Sequence, residues 1–384
     1  MRKLNEKKLH ELVLNGLDCD IRECKTAGSA IIVAQSGKVL LDVRRGYKNY
    51  DTGEMLSGGE MFRLASMTKP VAGVAFLKAV ELGYFAPDDL LSDYFPEVKE
   101  MKLAKLEDGK VIPTEAPKNP IKMYHLLSHQ SGFMSTNPIE TAQYATYPFE
   151  AHTSIETIVN YTLKNTCLTF DPSTAVGYAT SIPFDAMALI IERKSGLRYG
   201  EFLDKYIFSP LGIKDITFRP TEEQWERCVM MHDRALGPGL VTVNMGRNIF
   251  ERHPLTYEAA GAGLMGSIED YFIFAEMLRG RGEYRGVRIV KDDTFSLLNT
   301  PHVTKDIMQS NALWGLGVRV MAGDDVLPDG AFGWSGAYGT HFWVDPTNDI
   351  TAVYMRNMRW YDTHGCGSMG RRFEKSVMEA LCSE

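Results

Sequence analysis

The sequence predicts an α/β (α+β) fold, an antiparallel five-stranded sheet flanked by helices plus a large helical domain. Three observations lead there. Short, β-branched apolar segments gather near both chain ends, the stretch between them carries helical periodicity broken by Pro and Gly, and amphipathic helical patterns stand at both termini. A chain of 384 residues, 44% hydrophobic and 24% charged, is long enough to bury a large core and has a globular composition.

Taken in order, the first residues (Met1 to Leu9) carry basic side chains with no apolar run behind them. They predict an amphipathic surface helix and neither a signal peptide nor a membrane span. Ser29 to Ala34 and Val39 to Val43 read as strands joined by a hairpin at Ser36-Gly37. Helix patterns follow over 71–82, 123–127, 155–163, 184–194, 199–207 and 268–278, interrupted at Asp171-Pro172 and at Ser209-Pro210-Leu211-Gly212. Three further strands are expected at 315–320, 340–344 and 350–354, the last two parted by the turn Asp345-Pro346-Thr347-Asn348, and a terminal helix at 371–381. The predicted division assigns 1–75 and 235–384 to the α/β domain and 76–234 to the helical domain, with the active site between them.

A formal net charge of -7 gives no reason to expect nucleic acid or an anionic membrane as partner. The six cysteines (Cys19, Cys24, Cys167, Cys228, Cys366 and Cys382) show no C-x-x-C spacing and read as free thiols of a reducing, cytoplasmic compartment.

The chemistry-bearing signal is Ser66-Met67-Thr68-Lys69, an S-x-x-K tetrad where an extended apolar segment turns into a helix. A serine there lies near the positive end of the helix dipole, and a lysine one turn on is weakened as an ammonium by the dipole and by desolvation. Such a lysine can take the serine proton, the chemistry of an acyl-enzyme hydrolase. On the tetrad alone the competing reading is an N-cap serine with a solvated first-turn lysine.

Further segments extend the pattern. Met61 to Lys69, Asp88 to Glu97, His125-Leu126-Leu127-Ser128-His129-Gln130-Ser131-Gly132 and Phe208-Ser209-Pro210-Leu211-Gly212-Ile213 together resemble, in order, the serine β-lactamase and penicillin-binding-protein superfamily. Within it they resemble the class C-like branch that includes family VIII carboxylesterases. The resemblance runs from about Ser29 to Met358 and implies a class C β-lactamase-like fold. It implies Ser66 as nucleophile, Lys69 as general base and Tyr178, in Tyr178-Ala179-Thr180, as proton shuttle. Read without the family, Tyr178 is a half-buried core tyrosine. The resemblance also implies an oxyanion hole from the amides of Ser66 and Ala337, and a third motif at Trp334-Ser335-Gly336. Trp334 stands where β-lactamases carry a lysine that pairs with the substrate carboxylate, and Thr180 where they usually carry asparagine. These departures favour a neutral, apolar acyl ester, with Thr180, Trp334, Ser335, Gly336 and Tyr338 as substrate-binding residues; Arg356 or Arg359, beyond the last strand, offers a substitute for the lost charge that keeps β-lactam turnover open as a rival.

Three motifs are set aside. Gly261-Ala262-Gly263-Leu264-Met265-Gly266 matches G-x-G-x-x-G but follows no buried parallel strand, and reads as a glycine loop near the site floor. His125 and His129 have metal-ligand spacing without a third ligand and read as structural. Gly333-Trp334-Ser335-Gly336-Ala337 approaches the G-x-S-x-G elbow but lies among strands. The expectation is therefore a serine hydrolase without metal or cofactor. It is a carboxylesterase first, with β-lactamase, D-amino-acid peptidase and acyltransferase as rivals and a non-turnover binding or sensor protein as the alternative of another class. A small acyl substrate is the implied partner, and the oligomeric state is open.

Overall fold

The computed structural model describes residues 1–133, 137–147, 153–235, 239–243, 250, 256–308, 312–358 and 365–382, the last range without side chains for 365–368. Helix α1 (Glu6–Arg22) starts at Asn5, whose side chain accepts from the Lys8 N–H, and buries Leu9, Val13 and Leu17 as one stripe. It is longer than the surface helix the first nine residues predict. Strands β1 (Gly28–Gln35) and β2 (Lys38–Asn49) meet at Ser36-Gly37, with φ 52° and 75°. Positive φ at both positions is what a primed hairpin turn requires. Edge strand β3 (Glu54–Met55) and the short β4 (Phe62–Arg63) lead into α2 (Thr68–Glu81).

The middle of the chain supplies α3 (Met123–Leu127), α4 (Ile155–Asn165), α5 (Ile182–Ser195) and α6 (Tyr199–Leu203), the last continuing into a π-helical turn over Asp204–Phe208. Then come β5 (Ile216–Thr217), β6 (Met265–Gly266) and α7 (Ile268–Arg279). The chain closes with β7 (Ala312–Trp314), β8 (Arg319–Met321), β9 (Phe332–Gly336), β10 (Thr340–Asp345), β11 (Ile350–Arg356) and α8 (Gly365–Glu379). Among the described residues no helix is long and apolar enough to cross a membrane.

The main sheet is antiparallel, in the order β7-β8-β9-β10-β11-β1-β2-β3, so it has eight strands where the sequence predicts five. The two chain ends meet at its centre, where β1 pairs with β11 from Ser29 opposite Arg356 to Gln35 opposite Ile350. Both faces of β1 are covered. Ala30 and Ile32 join the core shared with α2, α5 and α7, whereas Ile31 and Val33 join the layer under α1 and α8.

One expected strand is displaced. Residues 315–318 form the turn between β7 and β8, and only 319–321 pair as a strand. The reason is close approach. A Cβ on Gly317, at φ 74°, would lie 2.3 Å from the Lys69 carbonyl oxygen, and one on Gly315 would lie 2.1 Å from that of Leu298. The glycines of Gly315-Leu316-Gly317-Val318 therefore mark backbone contacts, of Gly317 with α2 and of Gly315 with Leu298, not a pleat.

Candidate active site

Ser66 sits in a 3-10 turn, Ala65–Met67, at the head of α2. Ala65 before it has φ 47°, a left-handed conformation that strains a residue with a Cβ and persists only where the surroundings hold it. They do so from several directions. Leu64 donates its N–H to the Leu264 carbonyl, Thr340 Oγ1 donates to the Leu64 carbonyl, and the Tyr271 hydroxyl donates to the Met67 carbonyl. Gly336 completes the clamp, since a Cβ there would fall 2.2 Å from the Leu64 carbonyl oxygen. The end of β9 is thus pressed against the serine turn.

Lys69, one turn along α2, is fully buried. Its Nζ donates to Ser66 Oγ (3.3 Å), the Thr180 carbonyl (2.6 Å) and the Gly261 carbonyl (2.9 Å), which uses all three ammonium donors. The rings of Tyr178 and Phe184 lie 4.8 and 5.1 Å from the nitrogen. Burial drives the Lys69 pKa down, opposed by the hydroxyl of Tyr178 and the carboxylate of Asp185.

Tyr178 approaches from the other side, its hydroxyl donating to Ser66 Oγ at 2.6 Å. Its ring packs among Trp314, Trp334 and His129, and the Trp334 indole N–H reaches the tyrosine oxygen at 3.4 Å. Trp334, on β9, therefore lies on Tyr178.

The other predicted residues divide by strand face. Trp334 and Gly336 face the serine turn. Ser335 points to the opposite face, where its Oγ is 2.8 Å from His341 Nδ1, and His341 Nε2 is 3.1 Å from Glu374 on α8. Ser335 can therefore offer a ligand its backbone but not its hydroxyl. Ala337 and Tyr338 form the β9–β10 turn, closed by Gly339 N–H to the Gly336 carbonyl, and pack with Ala65, Met61 and Phe250. Thr180 contributes its carbonyl to Lys69, and its side chain is exposed. Arg356 is buried beneath the turn, against Gly339, and donates to the Lys25 carbonyl; Arg359 lies outside the described residues.

Asp185 and His129 complete the site without having been singled out for it. Asp185 is fully buried and accepts from Ser181 Oγ (2.9 Å), the Tyr257 hydroxyl (2.6 Å) and the Ala260 N–H (2.8 Å). Burial pushes its pKa up to about 6. Ser181 in turn accepts from the Gly261 N–H, so one carboxyl group ties together the two segments whose carbonyls hold Lys69. The available signal was a lone acid in the apolar run Ile182 to Ile191. His129 leaves α3 in a left-handed conformation, φ 60°, accepts from the Ala179 N–H through Nδ1, and meets Trp314 edge-on at 4.3 Å. Burial and the nearby Lys69 hold it neutral. His125 instead accepts from the Lys122 N–H at the start of α3. The glycine run serves the floor: a Cβ on Gly261 would lie 2.7 Å from the Thr180 carbonyl oxygen. Among the described residues no three His, Cys, Asp or Glu side chains come together to hold a metal.

This arrangement places a serine oxygen between a desolvated amine and a phenol, the parts needed to remove its proton and to return one to a leaving group. Comparison with known proteins agrees at the level of the fold. An uncharacterized protein of Mycobacterium tuberculosis is 29% identical over 377 residues, covering 89% of each chain. Esterase EstB of Burkholderia gladioli is 23% identical over 374 residues, covering 91% of this chain and 90% of its own. Among solved structures, EstCE1, a hydrolase with promiscuous acyltransferase activity, superposes with a TM-score of 0.79 at 22% identity over 98% of both chains. A mutant of simvastatin synthase (LovD) from Aspergillus terreus gives 0.80 at 19% identity, covering 97% of this chain and 95% of its own. The Beta-lactamase family model matches residues 9–359, nearly the whole chain, and the protein belongs to that family.

Proposed function

We propose that the protein is a serine hydrolase working through a covalent acyl-enzyme, and within that class a carboxylesterase acting on small acyl esters. The observation that carries this reading is Ser66 Oγ held 3.3 Å from Lys69 Nζ and 2.6 Å from the Tyr178 hydroxyl. Neutral Lys69 takes the serine proton as Oγ attacks the acyl carbon. The amides of Ser66 and Ala337 receive the charge on the carbonyl oxygen. The carbon–oxygen bond of the ester then breaks while Tyr178 gives its proton to the departing alkoxide and recovers one from Lys69. In the second half water loses a proton to the Lys69–Tyr178 pair, attacks the acyl carbon and frees the acid, and Ser66 regains its proton. Trp334, Gly336 and Tyr338 border the space the acyl group would occupy.

The esterase preference over β-lactam or D-peptide substrates rests on Trp334 in place of a carboxylate-binding lysine, and on the esterases among the relatives. Acyl transfer is the second reading, because EstCE1 is described as having promiscuous acyltransferase activity and an alcohol can replace water at the same acyl-enzyme. The test is hydrolysis of p-nitrophenyl butyrate by the wild type and Ser66→Ala. Loss of turnover in the variant is expected, and equal rates would remove Ser66 from the mechanism. Added alcohol that diverts the acyl group into a new ester in preference to acid would move the assignment to transferase.

A further inference from the structure

A polar chain crosses the apolar layer behind the site. Ser335 and His341 oppose each other across the β9–β10 ladder, one residue pair before the turn that carries Ala337. Both point away from Ser66 toward α8, among Trp343, Tyr354 and Phe373. Ser335 Oγ is 2.8 Å from His341 Nδ1, and His341 Nε2 is 3.1 Å from the carboxylate of Glu374. His341 and Glu374 are buried. Glu374 also accepts from Arg371 at 2.9 Å and from Arg319, on β8, at 3.4 Å. Burial alone would raise its pKa, but His341 and the two guanidinium groups outweigh that and hold it below its ordinary value. An ionised carboxylate only accepts, so Nε2 carries the imidazole proton and Nδ1 accepts from the Ser335 hydroxyl.

The order serine, histidine, glutamate is that of a hydrolytic triad, but Arg319 and Arg371 already share the charge that would have to stabilise an imidazolium. A buried chain of this kind costs desolvation that an apolar pair would not, and what it adds is direction. Its place shows what the direction serves. The next pair, Gly336 and Thr340, presses on the serine turn: Thr340 Oγ1 donates to the Leu64 carbonyl, and Gly336 leaves no room there for a Cβ. Beyond it the Ala337–Gly339 turn is closed by the bond from the Gly339 N–H to the Gly336 carbonyl. The base of the turn is thus held by Thr340 on one face of the sheet and by Ser335, His341 and Glu374 on the other. An oxyanion donor is effective only at about 2.7–3.1 Å from the developing charge, so the tilt of this strand pair matters. Building on the acyl-enzyme reading, we propose that Glu374 and His341 are positioning residues for the oxyanion hole: through Ser335 they set the tilt of the β9–β10 turn and aim the Ala337 N–H at the acyl oxygen. Helix α8, on the opposite face of the sheet from Ser66, thereby takes part in catalysis.

The test is steady-state hydrolysis of p-nitrophenyl butyrate by the full-length protein and its variants. Ser335→Ala and Glu374→Gln should each lower kcat about tenfold with KM held within about twofold, a fraction of the roughly 10²–10³ lost when an oxyanion donor is removed outright. Ser335→Thr, which keeps the hydroxyl, should recover most of that loss. If Glu374→Gln does not fold, Ser335→Ala, which strands no charge, carries the test. Inhibition by butylboronic acid, whose adduct on Ser66 puts a charged oxygen in the oxyanion position, should weaken in proportion to kcat. Arg372→Ala breaks a different bond of α8, to Asp20 of α1, and should leave kcat unchanged. An unchanged kcat in Ser335→Ala, an unchanged boronic acid affinity, or an equal fall in Arg372→Ala would overturn the inference, the last by showing that loose docking of α8 is enough. Turnover that depends on Ser66 but not on Ser335 or Glu374 would remove this inference alone. Absence of Ser66-dependent turnover in the wild type would remove the hydrolase reading and this inference with it.

Discussion

Replacing Tyr178 with phenylalanine isolates the proton shuttle from the packing around it. The ring sits among Trp314, Trp334 and His129, and all of those contacts survive the change. What is lost is the hydroxyl, with its 2.6 Å bond to Ser66 Oγ and its 3.4 Å contact from the Trp334 indole. Trp334 is half-buried, so water can take its N–H, and the stability change should stay within about 1 kcal/mol. The catalytic cost is of another order. Removing a positioned acid–base group costs roughly 10²–10⁴ in rate, or about 3–5 kcal/mol of transition-state stabilisation. Because the phenol is assigned to the leaving group, the loss should depend on what departs. p-Nitrophenoxide leaves without needing a proton, whereas ethoxide does not. The assay is kcat/KM of wild type and Tyr178→Phe on p-nitrophenyl butyrate and on ethyl butyrate, with near-ultraviolet circular dichroism as a check on folding. The variant should lose at least tenfold more on the ethyl ester. Equal losses on both esters would refute the leaving-group role, and activity within threefold of wild type on the ethyl ester would refute any acid–base role.

Other consequences follow from the same geometry. In the proposed mechanism Lys69 takes the serine proton from its neutral form, so kcat/KM should rise with pH through its lowered pKa. The Asp185 carboxylate favours the ammonium, so Asp185→Asn should move that rising limb to lower pH; movement to higher pH would contradict the assignment. Gly317→Ala places a Cβ 2.3 Å from the Lys69 carbonyl oxygen at φ 74°, and should cost about 1–3 kcal/mol by denaturant midpoint together with a fall in kcat; an unchanged midpoint would show that the turn is free to move. Thr340→Val removes the hydroxyl that holds the Leu64 carbonyl behind the strained Ala65, and is expected to lower kcat more than it raises KM in steady-state kinetics.

Where the signal is local, sequence and structure coincide. Ser66 and Lys69 are one helical turn apart because α2 is helical, the hairpin closes at Ser36-Gly37, and α3 spans Met123–Leu127 as its apolar pattern requires. Each depends on neighbours within a few residues, whose spacing and turn chemistry are written in the chain. The extra strands β3, β7 and β9 are short or rich in glycine and carry too little alternation to declare themselves.

The sequence by itself singled out Ser66 and Lys69 as candidate site residues and, through the family resemblance, Tyr178 and Trp334. What the tertiary structure decided is how those groups are held. The carbonyls that grip Lys69 come from residues 111 and 192 positions away, and no local pattern encodes a backbone acceptor at that distance. The inward carboxyl of Asp185, the outward turn of Ser335 and the bend at Gly317 are likewise products of packing between distant segments. Residue type supplies the chemistry, but solvent exclusion sets its strength, and solvent is excluded only when the whole chain has closed around the site.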